Sequence, residues 1–100
     1  MDVRFRTRKL QSHYERFGDA LKAYGELVAR KYIQRVNIIK TARDINELKR
    51  LPALRCHQLK GERLGQWAVN LTGYQRLIFT LEGDRLEIVM IEGASKHFED

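Results

Sequence analysis

The chain is 100 residues long, 43% hydrophobic and 32% charged, and this length suits a single domain over residues 1–100. It has no apolar run close to the roughly 20 residues that cross a bilayer, and basic residues interrupt the N-terminal segment where a signal peptide would be apolar. We therefore expect a cytoplasmic protein that makes no membrane contact. The single cysteine, Cys56, excludes an internal disulfide and a thiolate metal cluster.

The basic charge is concentrated in the earlier part of the chain. The formal net charge is +6 at pH 7. Residues 1–76 carry 17 basic and seven acidic side chains, whereas residues 77–100 carry two basic and six acidic ones. A basic body of this size attracts polyanions, and RNA, DNA or an acidic protein segment are the usual candidates. The alternative is a charged surface that only keeps the protein soluble.

The first half of the chain has the periodicity of helices. Alternating apolar and polar residues at the very start predict a short first strand. The apolar residues over 8–17 and over 26–43 recur at helical spacing, so we predict a helix in each range. The stretch bracketed by Gly18 and Gly25 is interpreted as a connection between these two helices.

The second half has the periodicity of strands. A capping-box sequence at residues 44–47 predicts one more short helix, which Pro52 ends. After it the apolar period changes to two, with a glycine in each intervening turn. Strands are predicted over residues 54–59, 65–72, 75–82 and 85–91. The order predicts an α+β fold in which the first strand and the helices pack on one face of a mostly antiparallel sheet of four to five strands.

The alternation also predicts which side chains share a face of the sheet. The core face is predicted to carry Trp67, Val69, Leu71, Leu77, Phe79 and Leu81. The opposite, open face is predicted to carry Arg76, Ile78 and Thr80. In the strand from Leu54, the side chains of Leu54 and Cys56 are expected to point inward. Arg55 and His57 then join Arg76 on the open face.

One segment and the C-terminus could carry chemistry. Residues 55–63 place His57 among three cations, Arg55, Lys60 and Arg63, and such a cluster can hold a phosphate while the histidine moves a proton. The alternative is a surface cluster with no role. His97 lies near the C-terminus beside Lys96. If that segment passes the open face, His57 and His97 could act as base and acid in RNA transesterification; the alternative is a disordered tail.

We expect no metal and no cofactor. The three histidines, His13, His57 and His97, are scattered and lack the spacing of helical ligand sets. Cys56 and His57 are adjacent, so a strand would send their side chains to opposite faces.

Three blocks of the sequence resemble HigB toxins, which belong to the RelE/ParE toxin superfamily. The blocks are LRCHQLKGER at residues 54–63, GQWAVN at 65–70 and YQRLIF at 74–79. The resemblance implies a curved sheet, as in microbial ribonucleases, and cleavage of mRNA in the ribosomal A site to leave a 2′,3′-cyclic phosphate without a metal or organic cofactor.

The same resemblance assigns site residues. By motif, His57 and Lys60 belong to an active site, and Arg63 and Arg76 bind phosphate. His97 matches the C-terminal catalytic histidine of the family, although Phe98 follows it where tyrosine is common. We add Arg55 and Lys96 as phosphate-binding candidates.

The resemblance also implies partners. These are a HigA-like helix–turn–helix antitoxin and the 70S ribosome with mRNA in its A site; operator DNA would be reached only through the antitoxin. Two alternatives remain. One is a ParE-like poison of DNA gyrase, which needs no proton-transfer groups. The other is a non-enzymatic basic protein that binds RNA or the ribosome.

Overall fold

The computed structural model describes residues 1–96, with the side chains of residues 1–95. The helices in this part of the chain are α1 Arg8–Glu15, α2 Phe17–Tyr24, α3 Glu26–Thr41 and α4 Ile45–Lys49. The strands are β1 Asp2–Phe5, β2 His57–Gln58, β3 Gln66–Asn70, β4 Gln75–Glu82 and β5 Ile88–Lys96. A strand, a layer of helices and a strand meander follow in the predicted order, and the α+β class is confirmed. None of the described helices is both long and apolar enough to cross a membrane.

The strands form one five-stranded sheet in the order β1-β5-β4-β3-β2. Strand β1 pairs with β5 in parallel, and all the other pairs are antiparallel. The turn between β3 and β4 is closed by the Thr72 side chain, whose Oγ1 accepts hydrogen bonds from the amides of Tyr74 and Gln75. The predicted mostly antiparallel sheet is therefore confirmed.

The segment predicted as a connection between two helices is itself a helix. The first helix is capped by Thr7, whose Oγ1 accepts from the Leu10 amide, and it ends at Arg16, where the backbone is extended. Gly18 lies inside the first turn of α2, where a glycine is tolerated, so it does not interrupt the helix. Gly25, with φ of 80°, ends α2 and starts α3. The two flanking helices begin where they were predicted and each ends two residues earlier, so the error is that the connection between them is helical.

Two strand boundaries also differ from the prediction. The short helix before Pro52 is confirmed, since the Asp44 side chain accepts from the Glu47 amide as an N-cap. Pro52 then starts a single 3₁₀ turn that ends at Leu54, because proline fits the first position of a helical turn. Only His57 and Gln58 of the predicted strand pair with a neighbour. The last strand, β5, begins three residues later and ends five residues later than the strand predicted over residues 85–91.

The helices cover one face of the sheet and enclose the core. The strands contribute Trp67, Val69, Leu71, Leu77, Phe79, Val89 and Ile91, and α3 contributes Val28, Tyr32, Val36 and Ile39. The rings of Trp67 and Phe79 are stacked at 6.5 Å between centroids. The predicted core face is confirmed, and Leu54 and Cys56 pack on the same side of the sheet.

The opposite face, which we call the second face, is less open than predicted. It carries Ala68 of β3 with Arg76 and Ile78 of β4. Arg76 is only 5% exposed and Ile78 only 4%. Leu59, from the segment after β2, packs with Ala68 and Ile78 in a second apolar cluster. The prediction of an open surface at these positions is therefore wrong, because alternation gives the side on which a residue lies and not what covers it.

Candidate functional site

Strand register brings His57 to the second face. His57 pairs directly with Ala68, and Ala68 pairs with Ile78. Directly paired residues of antiparallel strands project to the same side, so these three share a face. Arg76, two residues before Ile78, projects to that side as well. The predicted sharing of one face by His57 and Arg76 is thus present in the structure.

The backbone before β2 fixes the orientation of the His57 ring. Arg55 adopts a left-handed conformation, with φ of 46°, which a non-glycine residue rarely takes. Its carbonyl oxygen accepts a hydrogen bond of 2.7 Å from Nδ1 of His57. A carbonyl can only accept, so Nδ1 carries a proton and Nε2 is the nitrogen that gains or loses one. The ring is half-buried, and the side chain of Arg55 is exposed.

The charge of Arg63 lies within electrostatic range of Arg76. Burial and the nearby charge of Arg63 both lower the pKa of Arg76. Arg63 itself is exposed and ends the 3₁₀ turn Gly61–Arg63. Two like charges at short range repel each other, and a bound anion would relieve that repulsion. Arg63 and Arg76 therefore stay the candidates for phosphate binding that the sequence predicted.

The structure describes two of the remaining predicted residues, Lys60 and the backbone of Lys96. Lys60 precedes the same turn and is exposed. Lys96 pairs with Gln75, next to the pair formed by Arg76 and Ser95, and only its backbone is described. His97 lies outside the described residues, so its place relative to His57 stays a prediction.

A cleft of about 320 Å³ opens beside Arg63. Its walls are formed by Glu62 and Arg63 of the turn, by Gln66 and Ile78 of the sheet, and by residues 92–95 of β5. The turn thus contributes one positive and one negative side chain to the cleft, and the end of β5 forms the opposite wall. It is a place where a polar ligand could lie against Arg63.

Glu92 is a residue of this cleft that sequence reasoning missed. Arg6 donates two hydrogen bonds to the Glu92 carboxylate, from Nε at 3.1 Å and from Nη2 at 2.8 Å. The hydroxyl of Thr80 donates a third, at 2.9 Å. These hydrogen bonds, those of Arg6 above all, lower the pKa of Glu92 and keep it ionised. Arg6 comes from the other end of the chain, so no local pattern could have revealed the pair.

The described residues contain no candidate metal centre. No group of three or more histidine, cysteine and acidic side chains comes together within residues 1–95. Burial raises the pKa of Cys56 to about 11, which makes its thiol a poor nucleophile near neutral pH.

Comparison with known proteins gives a fold and not a family. No family model and no curated protein matches the sequence. Among solved structures, a YoeB/ParE toxin from Agrobacterium tumefaciens is similar with a TM-score of 0.58 at 18% identity, covering 98% of this chain and 100% of that one. YafQ from E. coli has a TM-score of 0.60 at 10% identity, covering 96% and 92%. The YoeB dimer from Staphylococcus aureus has a TM-score of 0.58 at 14% identity, covering 98% of each chain.

These similarities span nearly the whole chain, although few residues are identical. The protein therefore has the RelE/ParE-like fold that the sequence predicted, in the form seen in YoeB and YafQ. At such identities the similarity establishes the fold alone, and activity has to be argued from the site.

Proposed function

We propose that this protein is the toxin of a type II toxin–antitoxin pair and acts as a ribosome-dependent endoribonuclease. The observation that carries the proposal is the buried Arg76 on the same face of the sheet as the oriented ring of His57. The fold shared with YoeB and YafQ supports it. The three sequence blocks favour a HigB-type toxin within the superfamily.

The proposed chemistry is a metal-free cleavage of RNA. A base removes the proton of a 2′-hydroxyl, whose oxygen attacks the adjacent phosphorus, while an acid protonates the 5′-oxygen as its bond to phosphorus breaks. The products are a 2′,3′-cyclic phosphate and a free 5′-hydroxyl. His57 exchanges a proton through Nε2, and His97 is proposed as its partner. Which of the two is the base is left to experiment.

The cations have a separate part in this proposal. Negative charge grows on the phosphate oxygens in the transition state, and fixed cations beside them stabilise it. We assign this part to Arg76 and Arg63, with Lys60 beside them in the sequence motif. Arg55 and Lys96 are proposed to bind neighbouring phosphates of the strand. Affinity for RNA should then fall steeply as salt rises.

The proposed partners are an antitoxin and the ribosome. A YoeB–YefM complex from S. aureus, similar to this chain with a TM-score of 0.54 at 15% identity, contains a toxin of this fold with its partner. We propose a HigA-like helix–turn–helix antitoxin, through which alone the protein would reach operator DNA. The 70S ribosome with mRNA in its A site is the proposed target, and the cytoplasm the proposed location.

Induction of the protein in a bacterial host tests the proposal directly. The 5′ ends of mRNA are mapped with and without an inhibitor of translation initiation. We expect new ends inside reading frames that disappear when initiation is blocked. Growth arrest without new ends would contradict the nuclease and favour a gyrase poison, which an assay of DNA supercoiling would detect. Neither arrest nor new ends, with RNA binding alone, would favour a non-enzymatic RNA-binding protein.

A matched pair of lysine variants locates the activity. Lys60→Gln removes a charge beside the proposed site, and Lys22→Gln removes one from exposed α2 on the helical side. We expect cleavage to fall about 10²-fold in the first variant and to stay near wild type in the second. Equal losses in both would mean that overall charge, and not a site around Lys60, supports the activity.

A further inference from the structure

The excess of positive charge belongs to the helical layer of the protein. Residues 8–43, which contain α1 to α3, carry nine basic and three acidic side chains, and the rest of the chain carries ten of each. The whole formal excess of +6 therefore lies in the layer that covers the core face, and not in the strands that form the candidate site. A surface with an excess of one sign attracts a partner of the opposite sign.

A groove of about 530 Å³ runs along the outer side of α3 in this layer, and we call it the α3 groove. Phe17, at the start of α2, lines it together with six residues of α3, which are Arg30, Ile33, Gln34, Asn37, Ile38 and Thr41. The first and last of these six are 11 residues apart, which is about 16 Å along a helix. The groove therefore has the length of about three helical turns.

The groove is bordered by exposed apolar side chains. Phe17 and Leu21 are both exposed and lie four residues apart in α2, so they are neighbours on one side of that helix. Leu27 is 61% exposed and lies three residues before Arg30 in α3. Single exposed apolar residues are common on a protein, whereas a group of them beside a groove is typical of an interaction surface.

Two cations at the groove are held over aromatic rings. The guanidinium of Arg30 lies 5.4 Å from the ring centroid of Phe17. Among the residues that the structure describes, it donates one hydrogen bond, to Glu26 at 3.2 Å. A guanidinium has about five N–H donors, so Arg30 can still bind an incoming carboxylate. Nζ of Lys40, ten residues further along α3, lies 5.1 Å from the ring centroid of Tyr14.

This combination of an apolar groove and flanking cations favours one kind of partner. RNA would bring phosphates to the cations, but its backbone offers no apolar group to cover Leu27 and Ile33. A second copy of the chain would bring two positively charged layers together, and these repel each other. An amphipathic helix can place its apolar stripe along a groove of three turns. Acidic residues beside that stripe would then meet Arg30 and Lys40.

We infer that the α3 groove is a docking site for an acidic amphipathic helix of a partner protein. The apolar stripe of that helix packs on Phe17, Leu27 and Ile33. Two of its carboxylates, about 15 Å apart, pair with Arg30 and Lys40. Because the helical layer covers the face of the sheet opposite the candidate site, the docked helix leaves that site open. The inference stands apart from the proposed nuclease, since no residue of the candidate site enters it.

Synthetic helices provide the probe for this inference. One peptide of about 14 residues, held helical by a side-chain staple, has leucine at positions i, i+4, i+7 and i+11 and glutamate at most other positions. A second peptide has lysine in place of every glutamate. Fluorescence anisotropy measures the binding of each peptide to the wild-type protein at about 0.1 M salt. We expect the glutamate peptide to bind at least about tenfold more tightly than the lysine peptide.

Two isosteric substitutions in the helical layer locate the binding. Gln34→Glu puts a negative charge into the groove, and Gln11→Glu puts one on an exposed position of α1 that does not line it. We expect the first to weaken binding of the glutamate peptide at least about fivefold and the second to change it less than about twofold. Phe17→Ala, which removes apolar surface from the groove, should weaken the same binding about tenfold.

Several outcomes would overturn the inference and leave the proposed nuclease standing. One is no binding of the glutamate peptide to the wild type at about 100 μM. Others are equal binding of the two peptides, or equal losses in Gln34→Glu and Gln11→Glu. If Gln34→Glu and Phe17→Ala weaken the binding of a short RNA and not that of the peptide, the groove binds RNA. If sedimentation shows a wild-type dimer that Phe17→Ala makes monomeric, the groove binds a second copy.

Discussion

The two faces of the sheet are built from alternate residues of the same strands, yet they have different environments. In β4, Phe79 is fully buried against the helices and stacks on Trp67. Its neighbour Thr80 faces the other way and donates to Glu92. A step of one residue therefore separates a side chain that stabilises the fold from one that shapes the candidate site.

The second face is not a solvent-exposed copy of the first. It buries a small apolar cluster of Leu59, Ala68 and Ile78, and it buries Arg76 beside that cluster. Burying a guanidinium costs free energy unless other groups or a ligand compensate for it. Burial alone therefore does not distinguish the stabilising face from the proposed functional face. The chemistry of the buried groups does, since the second face also buries the charged side chain of Arg76.

The largest effect should follow from truncating the core face. Phe79→Ala removes a fully buried ring and leaves a cavity, so we expect the free energy of unfolding to fall by about 3–5 kcal/mol. Urea unfolding measures it. Thr80→Val, one residue away, should cost no more than about 1 kcal/mol, as it removes one hydroxyl that donates to Glu92 and, at a longer distance, to Glu82. Similar losses in the two variants would break the distinction between the faces.

A smaller effect on stability, but a large one on activity, should follow on the second face. The buried position of Arg76 means that alanine would also remove packing by its aliphatic stem, so Arg76→Met is the better substitution. We expect cleavage to fall about 10²-fold with the urea midpoint nearly unchanged. Arg76→Lys, which keeps the charge, should lose less. Full activity in Arg76→Met would remove this residue from the proposed phosphate site.

The smallest effect concerns the helical layer that covers the core face. His13 of α1 is buried and shares a hydrogen bond of 2.9 Å with the hydroxyl of Tyr24. Burial, with a contribution from Lys9, lowers the pKa of His13. The unfolded chain therefore binds a proton more readily than the folded one, and stability is lost as pH falls below about 6.5.

The measurement is urea unfolding of the wild type and of His13→Gln between pH 7.5 and 5. We expect the wild type to lose more stability than the variant over this interval. A parallel decline would show that other groups account for the whole pH dependence and that the helical layer does not contribute through His13.

Much of the fold followed from local pattern. The strand alternation in residues 66–70 and 75–82 put Trp67 and Phe79 in the core and Arg76 on the other side, because a strand has a period of two wherever it lies. The capping sequence at Asp44 predicted its short helix because the hydrogen bond is made within four residues. The helix α2 was missed because Gly18 lies inside a helix and does not end one. The strand β2 was predicted too long because Pro52 starts a 3₁₀ turn that reaches Leu54.

The sequence by itself determined the α+β class, the basic charge and the side of the sheet on which His57 and Arg76 lie. Only the tertiary structure decided that Arg76 is buried, that Arg63 lies near it, and that Glu92 is held by Arg6. Each of these depends on groups distant in the chain, and their meeting is set by the register of strand pairing. The bulge at Glu92 is the clearest case, because it exists only in the pairing of β5 with β4.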